Sequence, residues 1–263
     1  MGTSTTPPLA IERQKIILNI LEQEGVVRTA ELCEMLNVSA VTIRSDLRDL
    51  AKTGVCEVVW GGAVSKTPAT EAETRLDQRS KLNKESKQRI GAKAAELIEV
   101  GQTIILDAGS TTVEIVNHLP HDLEYLRVVT PALNVAVATT HYPYIELVMP
   151  GGVLRNLTRS LIGSQTLRSL EMFNADWLFL ASGGFDIKHG VTTGNMMEVE
   201  VKRTMVQQAA RVALVADGSK FGRILSLNVA PLSAIEFLIT DHQISDEDVQ
   251  AIEAVGVIVI RAV

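Results

Sequence analysis

The sequence predicts a two-part fold: a small helical unit with a short β-hairpin, then a larger α/β unit. Three observations carry this. Residues 39–52 read as one amphipathic helix, preceded across a tight link by a second, shorter helical pattern. From residue 84 onward, short apolar runs alternate with helical patterns. Between the two lies a stretch rich in small and polar residues around Pro68. The expected boundaries are 8–66 for the first unit, 67–83 for a linker and 84–263 for the second unit.

The first helix is expected over 11–24, where Ile16, Ile17, Ile20 and Leu21 share one face, and Gly25 ends it. The second covers 29–36. The link Asn37-Val38 leads to the third, in which Ile43, Leu47 and Leu50 fall at i, i+4 and i+7 as a core stripe. Ser39 is placed to cap that helix by accepting an N–H from its first turn. Arg44, Arg48 and Lys52 lie on its other side. Two helices, a short turn and cations on the second helix are the pattern of a helix-turn-helix that reads DNA. A solvated cationic face gives the same pattern. Gly54 breaks the helix, and 55–64, rich in β-branched residues around Gly61-Gly62, suits a β-hairpin or wing.

In the second unit a helix is expected at 84–98. Apolar runs at 103–107, 126–130, 145–149, 177–181, 212–216, 236–240 and 256–260 are separated by helical patterns at 112–118, 132–140, 165–173, 199–211 and 246–254. Continuous apolar strands alternating with helices predict a largely parallel sheet covered on both faces.

Charge and composition limit the function classes. The 263 residues are 46% hydrophobic and 21% charged, enough for a sizeable core. The net charge of −6 is unusual for a nucleic-acid binder, and residues 1–66 hold 7 basic against 8 acidic side chains. DNA binding must therefore rest on where the cations sit. No run approaches the roughly 18 apolar residues of a membrane span. Two cysteines, Cys33 and Cys56, make no disulfide framework, and the polar first residues carry no apolar leader, so a cytoplasmic location is expected. The five histidines show no metal-ligand spacing; neither metal nor cofactor is expected.

In open α/β sheets, ligands bind beyond the carboxyl ends of the strands. The first exit is Asp107-Ala-Gly-Ser-Thr-Thr112, where Gly109 permits close approach and Ser110 and Thr111 offer hydroxyls at a helix start, a setting suited to phosphate. Asn134 follows the second strand, Gly151-Gly152 the third, Ser182-Gly-Gly-Phe-Asp186 the fourth, and Asp217-Gly-Ser-Lys220 the fifth. Lys220 can pair with phosphate, and Asp217 can bind sugar hydroxyls or orient Lys220. Taken alone, any single glycine here reads better as a tight turn; three Gly-rich strand exits in one sheet carry the ligand reading.

These residues together resemble the DeoR-type bacterial regulators of sugar and polyol catabolism. Arg13, Ser39-x-x-Thr42-Ile43-Arg44-x-Asp46-Leu47-x-x-Leu50 and Gly61-Gly62-Ala63 are similar to the family's winged helix-turn-helix domain. Arg79, Lys87, Arg89, Asp107-x-Gly-Ser-Thr, Asn134, Gly151-Gly152, Gly163, Glu198, Lys202 and Asp217-x-Ser-Lys-Phe-Gly222 are similar, in order, to its sensor domain. The resemblance implies an α/β sensor with a fold like ribose-5-phosphate isomerase. It implies a transcriptional repressor of a carbohydrate operon, released from double-stranded operator DNA by a phosphorylated sugar or related effector. It implies effector-response positions at Arg79, Lys87, Asp217 and Lys220. Helix-turn-helix proteins usually bind two half-sites, so a homodimer or tetramer is expected.

Three departures from the family pattern stand out. Arg79 replaces a frequent Lys, keeping the charge as a planar fork. Ser45 replaces a usual Arg, and the wing reads Val58-Val-Trp-Gly-Gly-Ala63 without its usual Arg and His. Ser39, Thr42, Arg44, Ser45, Arg48, Lys52 and Trp60 are the expected DNA-facing set, with Trp60 packing on the sugar-phosphate backbone or sealing the wing. A second reading is a sugar-phosphate isomerase with an appended DNA-binding domain, but Ser182–Asp186 lacks most of the carboxylates of the isomerases' corresponding loop. A third, a ligand-dependent activator, uses the same parts.

Overall fold

The computed structural model describes residues 8–24, 26–59, 61–65 and 76–262, and the chain divides into two compact units between Thr74 and Arg75. Gly25, Trp60 and most of the expected linker lie outside the described residues.

The first unit runs α1 (Ala10–Glu24), β1 (Val26–Arg28), α2 (Thr29–Leu36), α3 (Ala40–Lys52), β2 (Cys56–Val59) and β3 (Gly62–Ser65). α2 stops because Asn37 takes a left-handed conformation, φ 51°, which a short polar side chain tolerates. α3 then starts on Ser39, whose Oγ accepts the Thr42 N–H at 3.2 Å, the cap the sequence indicates. Ile43, Leu47 and Leu50 are buried together with Ile17, Leu21, Leu32 and Leu36, so all three helices share one core. Ile16 departs from expectation: it is 37% exposed, because the buried stripe of α1 centres on Ile17 and Leu21.

β2 and β3 form the expected antiparallel hairpin. A third strand, which the sequence pattern does not announce, joins them: β1 pairs with β3, and the sheet order is β1-β3-β2. Gly62 is required there, since a Cβ would sit 1.9 Å from the Val27 carbonyl oxygen on the crossing strand.

The second unit runs α4 (Leu76–Lys81), α5 (Lys84–Ala95), β4 (Thr103–Leu106), α6 (Thr112–Asn117), β5 (Leu126–Val129), α7 (Leu133–Thr139), β6 (Ile145–Val148), β7 (Val153–Arg155), β8 (Ser160–Ile162) and α8 (Ser164–Leu170). It continues with β9 (Ala175–Ala181), β10 (Gly184–Asp186), β11 (Gly190–Thr193), α9 (Met196–Gln207), β12 (Ala209–Val215), β13 (Leu227–Ala230), β14 (Phe237–Thr240), α10 (Asp246–Glu253) and β15 (Ile258–Arg261). Seven strands form one sheet, ordered β15-β14-β12-β9-β4-β5-β6, every pair parallel. These are the seven apolar runs of the sequence.

The sheet is buried on both faces, which is why its strands read as continuous apolar runs. Along β9, Leu178 and Leu180 enter one core cluster while Trp177 and Phe179 enter the other. β12 divides in the same way, Val212 and Leu214 against Ala213 and Val215.

Two smaller sheets go beyond the expected strands: the hairpin β7–β8, and β10-β11-β13. The helix expected over 199–211 ends at Gln207, and its last residues open β12 instead, where Ala209 and Arg211 pair in register with Ala175 and Trp177. Within the stretch expected to be linker, α4 is an ordered helix of the second unit. The Leu76 N–H donates to Leu157 O at 3.1 Å, and Asp77 pairs with Arg159 at 2.8 Å.

Candidate functional sites

In the first unit the chemistry sits on α3. With its apolar stripe turned inward, the helix leaves Arg44, Ser45 and Arg48 exposed, and among the described residues neither arginine has an ion-pair partner. Lys52 is held by Asp49 at 2.8 Å, both side chains largely in solvent. Ser39 Oγ lies 2.9 Å from Thr42 Oγ1, so the capping residue also orients the threonine hydroxyl. Asp46, in the middle of these cations, points the other way: it is buried and takes Arg13 on both carboxylate oxygens, at 2.7 and 3.2 Å. The acidic members of α3 are thereby neutralised, and Arg44 and Arg48 dominate its free face. The remaining expected member of this set, Trp60, lies outside the described residues.

In the second unit the chemistry gathers at the carboxyl ends of β4, β9 and β12 and on α4. Asp107, at the exit of β4, is buried. Its Oδ1 accepts from Ala108 N at 2.7 Å, and its Oδ2 accepts from Ala181 N at 2.9 Å and from Lys202 Nζ. Lys202 also donates to Ala181 O at 3.0 Å. This ion pair rivets the exits of β4 and β9 to α9 and leaves Asp107 little capacity for a ligand.

The loop after Asp107 is close-packed. A Cβ on Gly109 would lie 2.8 Å from that of Ala181, and Ser110 and Thr111 are almost fully buried before α6. Asn134 donates from Nδ2 to Gly109 O at 2.9 Å, while its buried Oδ1 has no partner among the described residues. Gly151 and Gly152 have φ of 69° and 118°, and Thr166 Oγ1 donates to Gly151 O at 2.7 Å. A Cβ on Gly152 would fall 2.2 Å from Thr166 Oγ1, so close packing on α8 accounts for this pair of glycines.

Four cations and one carboxylate form the second centre. Arg79 comes from α4, Lys87 from α5, and Lys220, Arg223 and Asp217 from the exit of β12. Asp217 is buried and accepts from Asn83 Nδ2 at 3.0 Å and from Ser219 Oγ. Lys87 is buried and donates from Nζ to the carbonyls of Arg79 and Leu82, capping the end of α4. Burial pushes its ammonium down to about 8 against the opposing pull of Asp217. Burial likewise lowers Lys220 and Arg79. Each of these cations feels at least one like-charged neighbour in the group.

Arg79 is the informative member. Its Nε and Nη2 are buried and, among the described residues, have no hydrogen-bond partner. These two N–H groups form one edge of the guanidinium. Arg13 uses that same edge to hold Asp46, and Arg211 uses it to hold Glu236 at 3.0 and 2.8 Å. In Arg79 the two-point fork is empty. A buried unpaired donor carries a desolvation cost that an oxyanion relieves. Asp107 and Glu198, whose charges reach Arg79, also line a small hollow of about 10 Å³ together with Pro131, Ser160, Leu161 and Lys202, room for little more than a water molecule.

Sequence reasoning alone gives no specific site role to Lys202, Glu198, Asn83 or Arg223. Glu198 accepts from Thr158 Oγ1 at 2.6 Å and Arg155 Nη1 at 3.0 Å. The i, i+4 spacing of Glu198 and Lys202 on α9 is the available signal; Arg223 leaves none. Among the described residues no cluster of three His, Cys, Asp or Glu side chains could hold a metal ion, and no helix is long and apolar enough to cross a membrane.

Comparison with known proteins matches both units. Residues 13–69 fit a DeoR-like helix-turn-helix domain, and residues 82–242 fit a DeoR C-terminal sensor domain. The chain is 35% identical over 252 residues to a putative aga operon transcriptional repressor of Escherichia coli O157:H7, covering 95% of this chain and 93% of that protein. It is 34% identical over 230 residues to the glycerol-3-phosphate regulon repressor of Escherichia coli K12, covering 88% and 90%. Among solved structures, ribose-5-phosphate isomerase A of Methanocaldococcus jannaschii aligns at TM-score 0.38 and 15% identity over 53% of this chain and 55% of that one.

Proposed function

The chain belongs to the DeoR family of helix-turn-helix transcriptional regulators, and from that premise we propose that it represses a carbohydrate catabolic operon and leaves its operator when a phosphorylated sugar or related metabolite binds the sensor. It is a regulator and not an enzyme: its relatives over nearly their whole length are named as repressors. The one carboxylate of the β9 exit, Asp186, is engaged by His189 Nδ1 at 2.8 Å.

DNA is read by α3. Arg44 and Arg48 contact phosphates and base edges, Ser39, Thr42 and Ser45 line the approach, and Lys52 and Trp60 extend the contact along the backbone. Two copies are needed to meet two half-sites, so the working form is a homo-oligomer in the cytoplasm.

The effector reading rests on the empty fork of Arg79. A phosphoryl group seated there, facing Lys220, supplies the missing acceptors. Lys87 supports the site by holding the end of α4, Asp217 and Asn83 brace the Lys220 turn, and Asn134 Oδ1 offers an acceptor to a sugar hydroxyl. The Asp107 loop with Gly109, Ser110 and Thr111, and the Gly151-Gly152 turn, shape the surroundings. A ligand shifts DNA affinity only by binding the DNA-competent and incompetent arrangements differently. Arg79 provides the link, because it stands on the first helix after the linker. Filling its fork stabilises one placement of α4.

Fluorescence anisotropy with the DNA upstream of the gene and its neighbours tests this. Operator release by one of a panel of sugar phosphates, abolished in Lys220→Ala while DNA binding persists, supports the reading. Release that is unchanged in Lys220→Ala overturns it.

A further inference from the structure

α5 carries a second cationic face. Lys87 points toward Asp217; Arg89, two residues on and so about 200° around the helix, points away from it. Arg89, Ala92, Lys93 and Glu96 follow one another at i, i+3, i+4 and i+7 and line a hollow of about 190 Å³, bounded on its far side by Arg261 and Ala262 at the carboxyl end of β15.

Hydrogen-bond capacity in this hollow is one-sided. Among the described residues Arg89 is half-buried and uses none of its five donors. Lys93 uses one N–H, toward Glu96 at 2.6 Å. Arg261 is fixed by Asp246 at 2.5 Å and by Ile244 O at 3.1 Å, so its charge stands at the wall with little freedom to move. The one carboxylate in the lining, Glu96, is 62% exposed and already paired. The hollow therefore has many donors, a preset positive field and almost no free acceptor.

The geometry points to a second anion-binding site on α5, built by Arg89, Lys93 and Arg261 and suited to a small phosphate-bearing anion. Two planar guanidinium groups and an ammonium match the oxygens of a phosphate. Neither a neutral sugar nor a nucleobase suits this wall: a sugar's hydroxyls also need acceptors and the one carboxylate is engaged by Lys93, while a base needs an aromatic face that the lining lacks. The ligand is inorganic phosphate, pyrophosphate or a simple phosphate ester.

The test is isothermal titration and ³¹P NMR of the full chain with inorganic phosphate and pyrophosphate, in a non-anionic buffer at low salt, on wild type, Arg79→Ala, Arg89→Ala and Arg89→Lys. Arg89 has no hydrogen-bond partner to lose among the described residues, so thermal unfolding of its variants without ligand stays at the wild-type value. Two binding events in wild type are expected. Arg89→Ala removes one, weakening it at least tenfold, and Arg79→Ala removes the other; Arg89→Lys restores part of the first. A wild type with one event that Arg79→Ala alone abolishes overturns the second site and leaves the effector reading standing. The reverse, one event abolished only by Arg89→Ala, keeps the second site and removes phosphate alone as a probe of the Arg79 fork. An Arg89→Ala titration that superimposes on wild type also overturns the proposal.

Discussion

Arg13 on α1 and Asp46 on α3 form a two-point ion pair, with Nε to Oδ2 at 2.7 Å and Nη2 to Oδ1 at 3.2 Å, at a position where both side chains are nearly buried. The pair keeps the guanidinium firmly protonated, since its carboxylate partner favours the charged form. Removing one partner strands the other in a poorly solvated place. Arg13→Ala and Asp46→Ala are each expected to destabilise the first unit by about 3 kcal/mol. The double variant should cost clearly less than the sum. Denaturant unfolding of the three variants checks this, and additive costs mean that the residues do not act as a pair.

Arg44→Ala is expected to abolish specific operator binding while phosphate binding and thermal stability stay as in wild type. Arg48→Ala should weaken operator affinity and make the salt slope of log K shallower by about 0.9 for each DNA phosphate that is no longer neutralised. Anisotropy titrations across a series of salt concentrations read both.

Arg79→Lys separates charge from geometry. The ammonium keeps the positive charge and loses the two-point edge, so effector affinity should fall about tenfold, the equivalent of roughly one charge-assisted hydrogen bond. Operator affinity without effector should not change. Equal affinity in the two proteins, measured by calorimetry, means that the fork does not hold the effector.

Lys87 makes the sensor pH-dependent. Its ammonium sits at about 8 in the folded chain against the ordinary 10.5. Between those values the folded state holds fewer protons than the unfolded state, so this group's contribution to stability rises as pH climbs from 8 to 10.5. Below pH 8 both states are protonated and the group carries its full cost. Lys87→Met should flatten that rise in a series of chemical denaturations. An incoming phosphate favours the charged ammonium, so above pH 8 its binding takes up protons and weakens as pH increases. Calorimetry in buffers of different ionisation enthalpy counts those protons, and zero uptake at pH 9 contradicts the expectation.

Gly62→Ala should disrupt the wing, because a Cβ there meets the Val27 carbonyl oxygen at 1.9 Å. Operator affinity is expected to fall with no change in the sensor's phosphate binding. A variant with wild-type affinity shows that the wing tolerates the displaced strand.

Much of the architecture is legible in the sequence because both periodicities are clean. Residues 43, 47 and 50 turn inward as the helical spacing requires, and all seven runs of the main sheet are strands because burial on both faces demands unbroken apolar stretches. The smaller strands are invisible for the opposite reason. β7 and β10 have three residues each, and β7 is largely exposed, so no alternation develops. Arg211 reads as helix because a surface arginine suits either state; its place in a strand follows from the rings of Trp177 and Phe237, over which it stacks at 4.1 and 5.1 Å. The Asp107–Lys202 pair joins residues 95 apart in sequence, a proximity that only the closed sheet creates. The glycines at 151 and 152 are legible as a strand-exit turn, but their close packing on Gln165 and Thr166 appears only in the fold. The cations Arg79, Lys87 and Lys220 are legible by type, but the empty edge of Arg79 becomes visible only once every neighbouring acceptor is in place.

The position of α4 matters to anyone who builds hybrid regulators from this chain. A cut at residue 84, where the apolar pattern of the second unit begins, discards Arg79, the Leu76 and Asp77 anchors and the carbonyls that Lys87 grips. The sensor module for transplantation starts at Arg75, where the compact unit itself starts. A fusion made there keeps Arg79 with Lys87, Lys220 and Asp217, so a foreign DNA-reading head joined upstream receives the whole proposed effector group.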